Sequence, residues 1–380
     1  MKILHTSDLH IGKRVNECSM LEEQTFILKQ ITDIAKSENP EAIILAGDIY
    51  DKSVPSAEAV SLFDDFLVGL AKLGKSIFII SGNHDSAERI SFASRIMETS
   101  KVYLSPVYNG KISPIVINDG ETEVAFYMLP FIKPAIVQHF ADEEVEIKTY
   151  DEAMRYVISQ MDIDKTRRNV LITHQFITNA VRTESEDFIV GGLDNIDASA
   201  FDDFDYVALG HLHRPQSCGK ETIRYSGSPL KYSFSEVNDK KSISIIEING
   251  EDTPIVTERT LAPLHEWYDL RGTYDELTAK PFYDGKGYQE SFVRITLTDE
   301  DDIPDGMRKL KSIYHRLMEL RYDNKRTRAG ITLIGKPMNV NALQPDELFG
   351  ELFEKQNAQP LTEEQKNYLN NIIETIFNKN

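Results

Sequence analysis

Ala42-Ile43-Ile44-Leu45-Ala46-Gly47-Asp48-Ile49-Tyr50-Asp51 joins five apolar residues to a turn carrying two carboxylates. The apolar run is too short for a helix and reads as a buried strand. On its two sides, Met20–Lys36 repeats Ile27, Ile31 and Ile34, and Ser56–Leu73 repeats Val60, Phe63, Leu67 and Leu70, both at helical spacing. Ile3–Thr6 and Ile77–Ser81 are expected as strands and Glu88–Met97 as a short helix. Short apolar runs alternating with amphipathic helices define an α/β fold.

Further strands are expected at Val124–Leu129, Val170–Thr173, Tyr206–Leu209 and Ile243–Ile248, closing a first domain over residues 1–260. The texture changes at Leu261-Ala262-Pro263. Residues 261–338 read as a small α+β module with a strand at Phe292–Leu297 and a helix at Met307–Leu320. Residues 339–380 read as a helical tail. There Pro345–Lys355 carries Leu348, Phe349, Leu352 and Phe353 on one stripe. Thr362 with Gln365 forms a capping box for a helix bearing Leu369, Ile372, Ile373, Ile376 and Phe377.

The 380 residues are 41% hydrophobic, enough to bury a core in more than one domain. No run approaches the roughly 18 apolar residues of a membrane span. Two cysteines, Cys18 and Cys218, cannot build a disulfide framework or a thiolate metal site, so a reducing, cytoplasmic home is expected. The formal net charge of −19 disfavours a free-standing nucleic-acid binder, since phosphate contacts need Lys and Arg. It does not exclude a nuclease, because bound cations or a partner protein can supply positive charge.

Five segments share one feature: Asp8-Leu9-His10, Gly47-Asp48-Ile49-Tyr50-Asp51, Gly82-Asn83-His84-Asp85, Thr173-His174 and Gly210-His211-Leu212-His213. Each follows the C-terminal end of an expected strand, the edge where α/β sheets gather ligands. The spacing of two within Asp8/His10 and His211/His213 lets each pair point one way from an extended segment. Singly, each segment is an ordinary polar turn or a hydrogen-bonded histidine. All five in this order are a strong joint signal. Imidazoles, carboxylates and one amide without thiolate suit Mn²⁺, Fe²⁺ or Zn²⁺ better than an all-oxygen Ca²⁺ site. Seven such side chains exceed one tetrahedral ion and match two ions sharing a carboxylate.

This order of motifs resembles the calcineurin-like metallophosphoesterases over roughly the first 230 residues. The resemblance implies a β-sandwich flanked by helices. It implies one ion held by Asp8, His10, His213 and bridging Asp48, and another by Asp48, Asn83, His174 and His211. His84 would face the scissile phosphate as the catalytic residue, with Asp51 and Asp85 behind it. Asp51-Lys52-Ser53, and Asp85 after Asn-His, depart from the Ser/Thr protein phosphatases.

Longer runs are similar to the SbcD-type family of bacterial DNA repair nucleases, counterparts of the Mre-type nucleases. They are His5–Lys13, Gly82–Ser86, Val207–Pro215 and Arg224–Phe234. That likeness implies Mn²⁺-dependent 3′-to-5′ exonuclease activity on duplex ends, endonuclease activity on single strands and hairpins, and roles in DNA repair, recombination and replication. It also implies a coiled-coil ATPase partner of the SbcC type. A homodimer would pair near Ser56–Leu73 and Glu88–Met97 within a heterotetramer. Residues 261–338 would form a capping domain, and the tail would dock on the ATPase. Two rivals remain on the same sequence: a small-substrate phosphodiesterase or nucleotidase, and a non-catalytic scaffold.

Overall fold

Alternation along single strands dictates the layering. In the strand Glu123–Leu129, Val124, Phe126 and Met128 enter one core while Ala125, Tyr127 and Leu129 enter another. A strand buried on both faces lies between two layers. The computed structural model describes residues 1–120, 122–178, 180–186, 195–331, 349–350, 353 and 360–377. The chain divides into two compact units, Met1–His265 and Glu266–Asn380.

In the first unit the strands are β1 (Lys2–Thr6), β2 (Arg14–Val15), β3 (Cys18–Ser19), β4 (Ala42–Ala46), β5 (Ser76–Ile80), β6 (Val102–Leu104) and β7 (Ile115–Asn118). They continue as β8 (Glu123–Leu129), β9 (Arg168–His174), β10 (Tyr206–Gly210), β11 (Gln216–Cys218), β12 (Lys220–Tyr225), β13 (Ser242–Glu247) and β14 (Ile255–Thr260). Two six-stranded sheets result, in the orders β14-β13-β1-β4-β5-β6 and β11-β12-β10-β9-β8-β7. Strands β1, β4, β5 and β6 run parallel, as do β8, β9, β10 and β12, and the remaining strands of the two sheets pair antiparallel.

Between the sheets, Ile44, Ala46, Phe78 and Ile80 of the first meet Phe126, Met128, Ile172 and Ala208 of the second. Phe78 and Phe126 stack at 4.3 Å. On the opposite face of the first sheet Leu4, Ile43, Leu45, Ile77 and Ile79 are equally buried. Helices α1 (Leu21–Glu38) and α2 (Ala57–Ala71) carry the buried stripes that such a face requires: Ile27, Leu28 and Ile31, and Phe63, Phe66 and Leu70. Ser56 starts α2 by accepting the Ala59 N–H at 3.3 Å, and Asn39 ends α1 at φ 48°. Beyond the second sheet, Ala153, Met154 and Val157 of the helix Tyr150–Ser159 join the core of Tyr127, Leu129 and Leu171. The β-sandwich flanked by helices is thus present.

Two expectations are corrected. Glu88–Met97 is two short turns, Ala87–Ile90 and Ser94–Met97, broken where Ala93 takes φ 59°. Met307–Leu320 is a helix only at Gly306–Lys311, and Arg316–Tyr322 is a strand. Leu310, Tyr314 and Leu317 repeat at helical spacing and mimic a helix. Ladder pairing with the strand Phe292–Leu297 and the Tyr314 hydroxyl bond to the Leu277 carbonyl (2.6 Å) override that local preference.

In the second unit these two strands and Trp267–Gly272 form a three-stranded parallel sheet, with Phe292–Leu297 central. Val293, Ile295, Leu297, Leu310 and Leu317 fill its core. The expected capping box is made reciprocally: Thr362 N–H reaches Gln365 Oε1 at 2.9 Å and Gln365 N–H reaches Thr362 Oγ1 at 3.3 Å. A helix follows over Glu363–Phe377. Leu348 and Leu352 of the Pro345–Lys355 stripe, and the 339–344 join, lie outside the described residues, as do the side chains of Ile376 and Phe377.

Candidate metal centre

Five parallel strands from both sheets end at one edge. From β1 come Asp8 and His10, from β4 Asp48, from β5 Asn83 and His84, from β9 His174, and from β10 His211 and His213. The backbone leaves these strands in an unexpected way. Asp8 (φ 53°), His10 (φ 44°), Asp48 (φ 49°) and His211 (φ 105°) all have positive φ, so the Asp-x-His pair does not project from an extended segment. Such conformations cost on the order of 1–2 kcal/mol each in L-residues and persist only where the surroundings impose them.

Hydrogen bonds hold Asp8, His10 and His211 here. Asp8 N–H donates to the Gly47 carbonyl at 3.0 Å, His10 N–H to the Asp48 carbonyl at 2.9 Å and His211 N–H to Asp8 Oδ1 at 2.9 Å. The surrounding packing is close. A Cβ on Gly82 would lie 2.1 Å from Asp48 Oδ1, and one on Gly210 would lie 1.9 Å from the Ala46 carbonyl and 2.6 Å from His174 Nδ1. These two positions admit only glycine.

The donor atoms converge. His174 Nε2 is 3.0 Å from Asn83 Oδ1 and 3.3 Å from Asp48 Oδ2. His211 Nδ1 is 3.0 Å from the same Asn83 oxygen, and His10 Nε2 is 3.0 Å from His213 Nε2. Three trios have ligand atoms within 4.8 Å of one another: Asp8, His10 and His213; Asp8, Asp48 and His174; His10, Asp48 and His84. Nitrogen and oxygen ligands about 2.1 Å from a shared ion lie roughly 3.0–3.4 Å apart, which the contacts of 3.0–3.3 Å match.

A cation fits this donor set on hydrogen-bond grounds. His174 Nδ1 donates to the Ala46 carbonyl at 2.9 Å, which in the neutral ring leaves a lone pair at Nε2. That lone pair faces two oxygens that also only accept, a repulsive arrangement unless positive charge stands among them. In the protein alone, the charge is forced onto the ring. Burial opposes protonation of His174, yet the Asp48 and Asp8 carboxylates raise its pKa to about 9. Burial likewise opposes ionisation of Asp48, and His174 nevertheless holds its carboxyl well below the usual range.

The flanking acids have distinct jobs. Asp85 accepts from Ile49 N (3.0 Å), Tyr50 N (2.9 Å) and Gly82 N (2.9 Å), binding the β4 and β5 loops together. Burial and the neighbouring Asp48 push it up to about 6 against those three bonds. His84 N–H donates to Asp48 Oδ1 (2.9 Å), and its Nδ1 is 3.1 Å from the Asp51 carbonyl. The Asp51 carboxylate instead pairs with Lys13 at 2.8 Å.

Several residues at the site carry no spacing signal in the sequence. Ser185, Glu186, Glu236 and Lys241 surround His213, and Ser7 donates to Asp8 Oδ2 at 2.5 Å. Burial alone would raise the Glu236 pKa, but Lys241 holds it below the ordinary carboxylate range.

Residues 1–215 match the calcineurin-like phosphoesterase family, and the chain belongs to it: it is a metal-dependent phosphoesterase by fold and by donor set. Residues 261–357 match a second family, the type 5 capsule protein repressor C-terminal domain. Over 325 residues the chain is 36% identical to the SbcD subunit of the SbcCD nuclease of Staphylococcus epidermidis, covering 84% of this chain and 85% of that one. It is 30% identical to the SbcD subunit of the SbcCD nuclease of Staphylococcus saprophyticus over 384 residues, 99% of both chains. A solved dimetal phosphatase from Danio rerio superposes with a TM-score of 0.40 at 10% identity, covering 70% of this chain and 98% of that chain. Within the phosphoesterases, the chain belongs to the SbcD family of nucleases.

Proposed function

We propose that this chain hydrolyses DNA phosphodiester bonds as the nuclease component of an SbcCD-type complex, with two divalent cations, Mn²⁺ first among them. The convergence of Asp8, His10, Asp48, Asn83, His174, His211 and His213 donors on one sheet edge carries this reading. Asp8, His10 and His213 would hold one ion and Asn83, His174 and His211 the other, with Asp48 shared. Two such cations polarise a phosphodiester and lower the pKa of an attacking water.

The side chains supply geometry and a proton. Asp85 grips both loops by three N–H groups, so Asn83 and His84 keep their places relative to Asp48. The Asp51 carbonyl fixes His84 through Nδ1, and His10 packs edge-on against it at 4.8 Å. When protonated, His84 donates from Nε2 to the leaving oxygen.

The finer activity is 3′-to-5′ exonuclease on duplex ends with endonuclease on single strands and hairpins, in cytoplasmic DNA repair, recombination and replication. Among the described residues no helix is long and apolar enough to cross a membrane. An SbcC-type ATPase would contribute the basic DNA surface that a chain of net charge −19 lacks. Exposed Val60 (46%), Phe92 (79%) and Ile96 (73%) support pairing of two copies through α2 and the following turns, within a heterotetramer. Tyr368, 70% exposed on the last helix, supports docking of residues 339–380 on the ATPase.

An end-labelled linear duplex tests the reading. Mn²⁺ should release label progressively and chelation should stop it. Preferential turnover of a mononucleotide diester would return the small-substrate alternative. Deleting residues 340–380 should abolish co-purification with the ATPase.

A further inference from the structure

His213 is gripped at three points that neither the motif nor the ligand set accounts for. Its backbone N–H donates to Glu186 Oε1 at 2.6 Å. Its carbonyl accepts from Lys241 Nζ at 2.8 Å. Its ring Nδ1 lies 2.6 Å from Ser185 Oγ. Behind Ser185 stands Glu236, fully buried, with Oε1 at 2.6 Å from the serine hydroxyl and Oε2 at 2.6 Å from Lys241 Nζ.

The direction of each hydrogen bond follows from the donors present. Glu236, paired with an ammonium, is a carboxylate and can only accept. Ser185 has one hydroxyl hydrogen. Thr183 Oγ1, 2.8 Å away, carries a hydrogen of its own to donate, whereas Glu236 can only accept, so the Glu236 contact takes the serine hydrogen. The serine oxygen then offers only lone pairs to His213, so the ring hydrogen must sit on Nδ1. The Nε2 lone pair is thereby left on the side where His10 Nε2 stands 3.0 Å away.

We propose that Ser185 and Glu236 are positioning residues that fix the tautomer and orientation of His213, so that Nε2 is presented to a divalent cation. This rests on the reading of His213 as a ligand. The corresponding duty for His174 falls to a main-chain oxygen, that of Ala46, which no substitution removes. For His213 it falls to a side chain on a loop. One half of the centre is thereby set by the fold and the other by a replaceable hydroxyl.

The test uses the metal-free full chain, titrated with Mn²⁺ by calorimetry, alongside long-range ¹H–¹⁵N spectra of its histidines. Partners of ligating histidines typically contribute 10- to 100-fold in metal affinity. Ser185→Ala should therefore weaken one Mn²⁺ step by about that factor and leave the other within about twofold. Ser185→Thr, which keeps the hydroxyl, should restore it. The His213 ring should read as the Nδ1–H tautomer in the parent chain and as a mixture in Ser185→Ala. Parent-like binding in both steps by a folded Ser185→Ala overturns the proposal. His213→Ala separates the two readings: loss of one Mn²⁺ step there beside a parent-like Ser185→Ala removes only the relay. Unchanged binding in His213→Ala removes the ligand reading itself.

Discussion

Parallel strands end in polar residues in both units, with opposite outcomes. In the second unit the acids beyond the strand ends are answered locally. Asp299 caps Tyr274 N–H at 2.7 Å, its carbonyl accepts from Asn324 Nδ2 at 3.3 Å, and Asp323 pairs with Arg271 and Arg328. In the first unit, Asp48 and Asn83 turn acceptor oxygens toward one another around His174 Nε2, where only a proton or a cation relieves them, on a backbone held at positive φ. A carboxylate at a strand end is therefore no sign of a site. Acceptors left facing acceptors, in strained and glycine-restricted loops, are.

Substitutions can break that contrast. Asp48→Ala should cost the most. Losing the shared carboxylate should remove bound Mn²⁺, measured by elemental analysis. Cleavage should fall by about three orders of magnitude, the equivalent of several kcal/mol of charge stabilisation. His84→Ser should lower cleavage by roughly 10²- to 10⁴-fold with metal content near that of the parent. Metal lost together with activity would make His84 a ligand, consistent with its place in one of the close trios.

Glycines sharpen the contrast on the stability axis. Gly210→Ala drives a Cβ into the Ala46 carbonyl, and overpacking of this kind should cost about 1–3 kcal/mol, read from denaturant midpoints. Gly285→Ala in the second unit meets open space at φ 70°, and only its backbone conformation resists, at about 1 kcal/mol. Equal costs would mean the first unit's loops are not tightly packed. The smallest effect belongs to Asp323→Asn, which removes exposed ion pairs and should leave metal content and cleavage unchanged.

Strong local patterns were legible and contextual ones were not. β4 and β5 are unbroken apolar runs and α1 and α2 are long amphipathic helices, so their extents follow from composition and period. The strands β7, β11 and Arg316–Tyr322 are short or partly exposed, and their identity depends on a neighbour to pair with. The candidate ligands were legible because their motifs are compact. Ser185, Glu186 and Glu236 were not, because nothing links residues about 30 to 50 positions apart until the chain folds.

The order of residue types along the chain alone determined an alternating α/β unit, five polar strand ends and a donor set suited to divalent cations, since periodicity and ligand chemistry are properties of local sequence. Only the tertiary structure decided that these ends share one edge, that the Asp-x-His backbone is left-handed rather than extended, and which nitrogen each histidine turns inward. Those outcomes depend on atoms brought within 3 Å by packing, such as Ala46 against His174, and no local pattern encodes that approach.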